Sequence, residues 1–271
     1  MRELEQQQNI CKKIASLVEE QGGRAFYVGG FVRDRVMADI IGADPGDAKI
    51  PDIDIEVHGI APDKLYGILE SIGEPLSYGS SFGIYSLKGS SIDVALPRKE
   101  RSVGTGHRDF EVDVEPFIGT EAAARRRDFT MNAMMEDILS GEIVDHFGGR
   151  DDISRGIIRH VDDMSFPEDP LRVLRAAQFA ARLGFTVADE TLELMKGIDV
   201  SRLSMERIEG EMKKALLESE RPSVFFEVLR ACGKLSPWFE EIGETIGVRQ
   251  DPRFHPEGDV WTHTMEVLDR G

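Results

Sequence analysis

The chain has 271 residues, 41% of them apolar and 31% charged, with a formal net charge of −17. No stretch approaches the ~18 apolar residues of a membrane span, and so acidic a protein is not built for broad electrostatic attraction to nucleic acid. Positive charge is local, gathered in "RKERSVGTGHR" (98–108), "RRR" (125–127) and the segment carrying Arg172, Arg175 and Arg182, which leaves a triphosphate or an RNA end admissible as a partner.

The N-terminus lacks a secretory core; Ile10, Ile14, Leu17 and Val18 instead give one apolar helical stripe. Cys11 and Cys232 are lone cysteines far apart, which predicts a reduced, cytoplasmic setting. "AFYVGG" reads as a short buried strand ending in a glycine turn, "FVRDRVMADIIG" as the helix after it, and "ADPGDAKIP" as a loop. "DIDIEVHG" alternates as a strand, "APDKLYGILESIG" reads as a helix with an early proline, and "SFGIYSLKG" and "SSIDVALP" as two strands joined by a Gly-Ser turn.

"RKERSVGTGHRDFEVDVEP" predicts a mobile loop leading into a strand, and "GEIVDHFGGRDDI" a turn region. From about residue 154 the pattern is almost wholly helical. "HPEGDVWTHTMEVLDRG" stops partway through an amphipathic pattern, which predicts a fragment of a longer protein.

Asp52 and Asp54 stand i, i+2 in a strand pattern, so their side chains share a face roughly 6.6 Å apart along the backbone. Asp93 lies on a later strand that could pair beside them. Three like-charged oxygen donors on one face suit hard divalent cations such as Mg²⁺. The same acids also fit an ordinary solvated strand face. Gly29-Gly30 opens a helix whose backbone N–H groups could hold a phosphate, with Arg33 within reach of the same anion; a tight turn with a solvated arginine fits as well. Asp169 followed by Pro170 also fits a helix cap. Gly104-Thr105-Gly106 is no dinucleotide fingerprint, His107 and Arg108 read as solvated, and His58, His146 and His160 as structural.

Taken together and in order, "YVGGFVRD", "DIDIEV", "RRRDFTMNAM", "FGGRDDI" and "FPEDPLRVLRAAQFAARLGF" resemble the class II tRNA nucleotidyltransferase/poly(A) polymerase family, which includes the CCA-adding enzymes. The resemblance covers about residues 25–215. It implies an α+β protein with a small mixed-sheet, polymerase-beta-like nucleotidyltransferase head (1–153), an all-helical neck (154–235) and the start of a helical body (236–271). It implies Mg²⁺ on Asp52 and Asp54, Asp93 as third carboxylate, and the triphosphate on Gly29, Gly30 and Arg33. Arg127 would meet the nucleotide and Asp128 the ribose, while Asp169, Arg172 and Arg175 would serve as a protein template for the base.

The implied reaction is two-metal, template-independent transfer of CMP and AMP from CTP and ATP to the 3′ end of tRNA. CC-adding, A-adding and poly(A) synthesis remain rivals within the family, and a non-catalytic nucleotide- or RNA-binding module outside it. An HD-type phosphohydrolase is a third rival; His263 would be its first ligand, with the His-Asp pair beyond residue 271. Three departures bear on fine specificity: Pro51 where Lys is common, a longer link from Asp34 to Asp52, and Gln178 where a third arginine is common.

Overall fold

The computed structural model describes residues 2–42, 52–77, 83–102 and 110–271. The expectations for 43–51, including Pro51, and for Gly104, Thr105, Gly106, His107 and Arg108 lie outside them. The chain divides into two compact units, 1–154 and 155–271.

The first unit opens with α1 (Arg2–Glu20) and β1 (Arg24–Val28), then α2 (Gly30–Ile41), β2 (Ile53–His58), α3 (Pro62–Ile72), β3 (Pro75–Ser77), β4 (Ile84–Leu87) and β5 (Ile92–Ala95). A hairpin of β6 (Arg98–Ser102) and β7 (Phe110–Val114) follows, then α4 (Thr120–Ala124), β8 (Met135–Asp137), β9 (Ile143–Val144) and α5 (Gly149–Arg155). Seven strands form one mixed sheet in the order β3-β4-β5-β2-β1-β8-β9. Only β2 and β5 run parallel among its pairs; the others are antiparallel.

The register assigns the two faces. Ala25 and Tyr27 of β1 pair with Val57 and Ile55 of β2, and Ile53 and Ile55 pair with Ile92 and Val94 of β5. All are buried, together with Ile14 and Val18 of α1 and Leu65 and Leu69 of α3. Helix α1 lies against β1 and α3 because its buried residues recur at helical spacing: Gln7, Cys11, Ile14, Ala15 and Val18. Ile10 and Leu17 of the expected stripe sit half-buried at its margins. Each fully buried aliphatic side chain contributes about 1.5–3 kcal/mol. A slip of β2 by one residue would turn Ile53 and Ile55 onto the acidic face, so the core pins the register.

The sequence misses several elements of this unit. Residues 98–102 pair with 110–114 as a hairpin instead of forming a loop. The segment read as a turn region supplies β9 and α5, and β8, unforeseen, lies between β1 and β9. Alternation is illegible in a three-residue strand whose residues, Met135, Glu136 and Asp137, are all buried. The second glycine of "FGGRDDI" is explained by contact: a Cβ on Gly149 would lie 2.4 Å from the Thr130 carbonyl oxygen. Thr130 belongs to the 3₁₀ turn Thr130–Asn132, and its hydroxyl donates to Asp152 at 2.7 Å.

The second unit contains β10 (Ile157–Ile158), α6 (Leu171–Leu183), β11 (Thr186–Val187), α7 (Asp189–Lys196), α8 (Met205–Leu217), α9 (Ser223–Ala231), α10 (Glu240–Gly243) and α11 (Val260–Leu268). Helix α6 is its centre, packed on α8 and α9 and burying nine of its own residues, from Leu171 to Ala181. Phe225, Phe226 and Phe239 meet edge-on with centroids 5.2–5.8 Å apart. The pairing of β10 with β11, Ile158 opposite Val187, is parallel and departs from the wholly helical expectation.

Cys11 and Cys232 are buried free thiols, and burial pushes both up to about 11, so neither is a thiolate at neutral pH. No helix among the described residues is long and apolar enough to cross a membrane.

Gly149→Ala should destabilise the first unit by about 1–3 kcal/mol, since the added methyl meets backbone that cannot rotate away. Denaturant unfolding followed on the purified protein measures this. An unchanged midpoint would show that the close approach is not real.

Candidate active site

Val28, the last residue of β1, pairs with Asp54 of β2, and Asp54 pairs with Asp93 of β5. Residues directly opposite in register share a face, so Asp54 and Asp93 project side by side, away from the apolar core. Asp52 stands exposed just ahead of the strand. The sequence places all three together; the sheet sets Asp54 beside Asp93, and Asp52 lies near enough to raise the Asp54 pKa.

Protein around Asp54 partly desolvates its carboxyl and raises its pKa; Asp93 and Asp52 raise it further, while Arg127 opposes them. The Ser86 hydroxyl, opposite Asp93 on β4, donates to the Asp93 carboxylate. The donor set is all oxygen, and its mutual repulsion is what a divalent cation relieves.

The glycine turn lies against these acids. Gly29 has φ 68°, and a Cβ there would stand 3.5 Å from Asp54 Oδ2 and 3.7 Å from Arg127 Nη1. A side chain at 29 would therefore be strained in backbone, with its Cβ in van der Waals contact with both acid and guanidinium. Helix α2 begins at Gly30, where a Cβ would lie 3.5 Å from Arg33 Nη2. Arg33 is buried: Nε donates to Asp34 Oδ1 at 2.7 Å and Nη1 to Asn132 Oδ1 at 3.1 Å. Asn132 Nδ2 in turn donates to Asp128 Oδ1 at 3.0 Å, and that oxygen also accepts the Phe129 N–H at 2.8 Å. Asp128 is thus built into the turn, and Asn132 ties the "RRDFT" element to the "GGFVRD" element. Sequence reasoning missed Asn132, although it lies within the quoted "DFTMNAM".

Arg127 follows α4, with its N–H on the Ala124 carbonyl at 3.0 Å. Its guanidinium splits: Nη1 lies toward Gly29, and Nη2 donates to Glu56 Oε2 at 3.0 Å. Glu56, two residues after Asp54 and on the same face, also meets His58 Nε2 through Oε1 at 2.9 Å. His58 stands edge-on to Phe26, 5.5 Å between ring centroids. Burial pushes the Glu56 carboxyl up, but Arg127 and the His58 hydrogen bond outweigh it and hold the group below its ordinary value. Glu56 was also missed. The signal was present in "DIDIEVH", where a third acid and a histidine continue the alternation.

In the second unit Asp169 precedes α6. Its Oδ1 accepts the Leu171 N–H at 3.1 Å, and both carboxylate oxygens accept from Arg207 Nη2 at 2.9 Å. Arg172 donates from Nη1 to the Ser165 carbonyl at 2.7 Å and lies over the Phe166 ring at 5.9 Å. Arg175 lies over Phe179 at 5.3 Å. Positions 169, 172 and 175 are half-exposed on one face, whereas Gln178, next along it, is buried with Nε2 unpaired. Arg207, distant in sequence, carries no local signal. His146 meets the Thr120 hydroxyl at 2.9 Å, and the buried His160 meets that of Thr191 at 2.7 Å; both are accounted for by hydrogen bonding.

Residues 25–159 match the family model of the poly(A) polymerase head domain. The chain is 41% identical over 248 residues to a multifunctional CCA protein of Nitrosococcus oceani, covering 90% of this chain and 57% of that protein. It thus spans little more than half the length of the curated relatives it matches. A crystal structure of the Bacillus stearothermophilus CCA-adding enzyme in complex with CTP superposes with a TM-score of 0.69 at 28% identity, over 86% of this chain and 55% of that one. The Thermotoga maritima CCA-adding enzyme complexed with tRNA gives 0.66 at 25% identity, over 92% and 55%. Ordered motifs, mixed-sheet head and relatives agree: the chain belongs to the class II tRNA nucleotidyltransferase/poly(A) polymerase family, nucleotidyltransferases that use divalent metal ions.

Proposed function

We propose that the protein transfers CMP and AMP from CTP and ATP to the 3′ end of tRNA without a nucleic-acid template, adding or repairing CCA in the cytoplasm. One observation carries the reading: Asp54 lies in register with Asp93 and, across the Gly29 turn, beside Arg127. Carboxylates and an oriented guanidinium around an open helix start are what a metal-bound triphosphate requires. The relatives at this similarity include CCA-adding enzymes solved with CTP and with tRNA.

In this reading residues 1–153 are the head, 154–235 the neck and 236–271 the start of the body. Asp52 and Asp54, with Asp93 beside them, would hold Mg²⁺. When bound, two such ions supply Lewis-acid activation of the RNA 3′-hydroxyl and neutralise the departing pyrophosphate. The protein's own part is positioning and charge placement. Gly29 and Gly30 present the α2 N-terminus to the phosphates, and Arg33 backs the turn from inside. Arg127 aims one nitrogen at the nucleotide because Glu56 holds the other, and Asp128 orders the ribose side of the turn. In the neck, Asp169, Arg172 and Arg175 form the base-reading edge. Asp169 is suited to this because a backbone N–H and Arg207 fix its carboxylate, leaving its acceptor directions defined.

Asp52→Ala and Asp54→Ala should each lower nucleotide addition by about 1,000-fold or more, equivalent to roughly 4 kcal/mol of transition-state stabilisation. The assay follows labelled CTP and ATP on tRNA ending at the discriminator base, at C and at CC. Those primers also separate CCA addition from CC-only, A-only and poly(A) synthesis. Survival of addition in either variant sinks the assignment.

Glu56→Gln should raise KM for nucleotide by about tenfold with a smaller change in kcat, since Arg127 loses its anchor and not its charge. It should also cost about 1–3 kcal/mol of stability, because Arg127 and His58 lose an ionised partner. The sign with pH follows from the lowered pKa: Glu56 stabilises fully above the ordinary carboxyl value of 4.5 and loses that effect as pH falls through its folded value. The wild type should therefore lose stability toward acid more steeply than the variant, by denaturant unfolding at stepped pH.

Arg172→Ala should relax the choice among CTP, ATP, GTP and UTP by about tenfold, with addition of single nucleotides retained. Competition assays with mixed triphosphates read this directly. Unchanged selectivity would remove Arg172 from the base edge.

A further inference from the structure

Asp54, Glu56 and His58 stand at alternate positions of β2, so their side chains share the face that carries the acids. Across β1 the register sets Val28, Phe26 and Arg24 opposite them in turn. Glu56 is thereby flanked along its own strand, with Asp54 on one side and His58 on the other, each roughly 6.6 Å away along the backbone. Asp54 and Glu56 have tasks in the proposed chemistry. His58 has none.

The His58 ring is held by packing. It is buried edge-on against Phe26, which is itself buried beneath the Arg24 guanidinium, 4.8 Å from the ring centroid. Arg24 is anchored in turn, donating from Nη2 to Asp137 Oδ2 at 2.8 Å. The backbone here is confined as well: a Cβ on Gly23 would lie 2.6 Å from the His58 carbonyl oxygen, and the Gly59 N–H donates to the Pro116 carbonyl at 2.8 Å. Nε2 lies 2.9 Å from Glu56 Oε1, whereas Nδ1 is buried with no partner among the described residues. A carboxylate accepts, so Nε2 carries the proton, and in the neutral ring the lone pair falls on Nδ1. An unmet buried acceptor costs its desolvation. An apolar ring would avoid that cost and keep the contact with Phe26. What the imidazole adds is the donor to Glu56.

We propose, on the reading that Arg127 meets the nucleotide, that His58 is a positioning residue: through Glu56 it fixes the direction of the Arg127 guanidinium. A carboxylate held at one oxygen swings about its last side-chain bond, a torsion with a broad minimum. Held at Oε1 by His58, Glu56 presents Oε2 along one line, and Arg127 Nη2 meets it at 3.0 Å. The guanidinium is planar, so its other terminal nitrogen is aimed as a consequence. That nitrogen, Nη1, lies 3.7 Å from the point where a Cβ on Gly29 would stand. Without the donor at 58, Glu56 and Arg127 stay paired but turn as a unit. The charge beside the phosphate site is then unchanged and its direction is lost. Nucleotide binding weakens, while no group is removed from the reacting atoms.

The test compares the 271-residue chain with His58→Phe, His58→Gln, Glu56→Gln and Arg127→Ala. Equilibrium dialysis with labelled CTP and ATP in Mg²⁺ reads affinity, and the tRNA addition assay reads KM and kcat. His58→Phe keeps a ring against Phe26 and removes the donor. It should weaken nucleotide binding and raise KM by about fivefold with kcat little changed. His58→Gln still offers an N–H donor and should bring both back to within about twofold of the parent. In a Glu56→Gln background His58→Phe should add nothing, since both act along one path. A merely structural role would lower the unfolding midpoint and leave the affinity of the folded protein unchanged. That result overturns the proposal, as does an equal loss in His58→Gln or an additive loss in the Glu56→Gln background. Should His58→Phe not fold, ¹⁵N spectra of the parent decide, with the His58 signal assigned by its absence in His58→Gln. A proton on Nε2 supports the proposal, and a proton on Nδ1 overturns it. Unchanged affinity in Arg127→Ala would remove the underlying reading together with the proposal, whereas a loss there with none in His58→Phe removes His58 alone.

Discussion

Parallel pairing of β2 with β5 is the constraint on which the head depends, because it sets Asp54 against Asp93 with Asp52 close by. Nothing in folding favours this placement: like charges brought together on a partly desolvated surface raise each other's pKa. The arrangement is tolerated because the opposite face of the same two strands carries Ile53, Ile55, Ile92 and Val94, all buried. Apolar burial on one side fixes the register that imposes repulsion on the other. In the proposed reading a cation would bind where the protein has already accepted the electrostatic cost, a pre-organisation that a fluctuating acidic loop could not supply.

Arg127 is the counterweight. It lowers the Asp54 pKa while being held by Glu56, whose own pKa it also lowers. One guanidinium therefore serves two carboxylates with different roles: Glu56 is fully committed to Arg127 and His58, whereas Asp54 remains open on its solvent side. The buried relay from Arg33 through Asn132 to Asp128 performs a similar task on the other edge of the turn. Networks of this kind rigidify a site only when every member is satisfied. The His58 Nδ1 atom, buried and unpartnered, is the exception in this one.

How much of this was legible follows from where each signal resides. Period-two alternation with i, i+2 acids is local, so Asp52 and Asp54 could be read directly, and Asp93 could be placed as a possible neighbour. The Gly29 turn was equally local. Glu56 was quoted with its motif and passed over, because an acid on a strand reads as solvated until its partner from a distant segment is known. Arg207 lies 38 residues from Asp169, and no spacing rule connects them. The β6–β7 hairpin was hidden by its charge: Arg, Lys and Glu are weak strand formers, and only cross-strand pairing makes "RKERS" extended. Strand β8 was hidden by its brevity.

An acidic protein proposed to act on nucleotides and RNA has to resolve a contradiction between its average field and its local need. The cations named here resolve it by pairing: Arg127 with Glu56, Arg33 with Asp34, Arg207 with Asp169, Arg182 with Glu218. A paired guanidinium contributes little net charge at a distance, so it does not draw nucleic acid to the surface at large. What it keeps is direction, since the donors left over by its carboxylate partner point along fixed lines. Recognition at such a site rests on hydrogen-bond geometry more than on charge density. That is the economy the proposed function calls for, in which selectivity among nucleotides comes from side chains in place of a complementary strand.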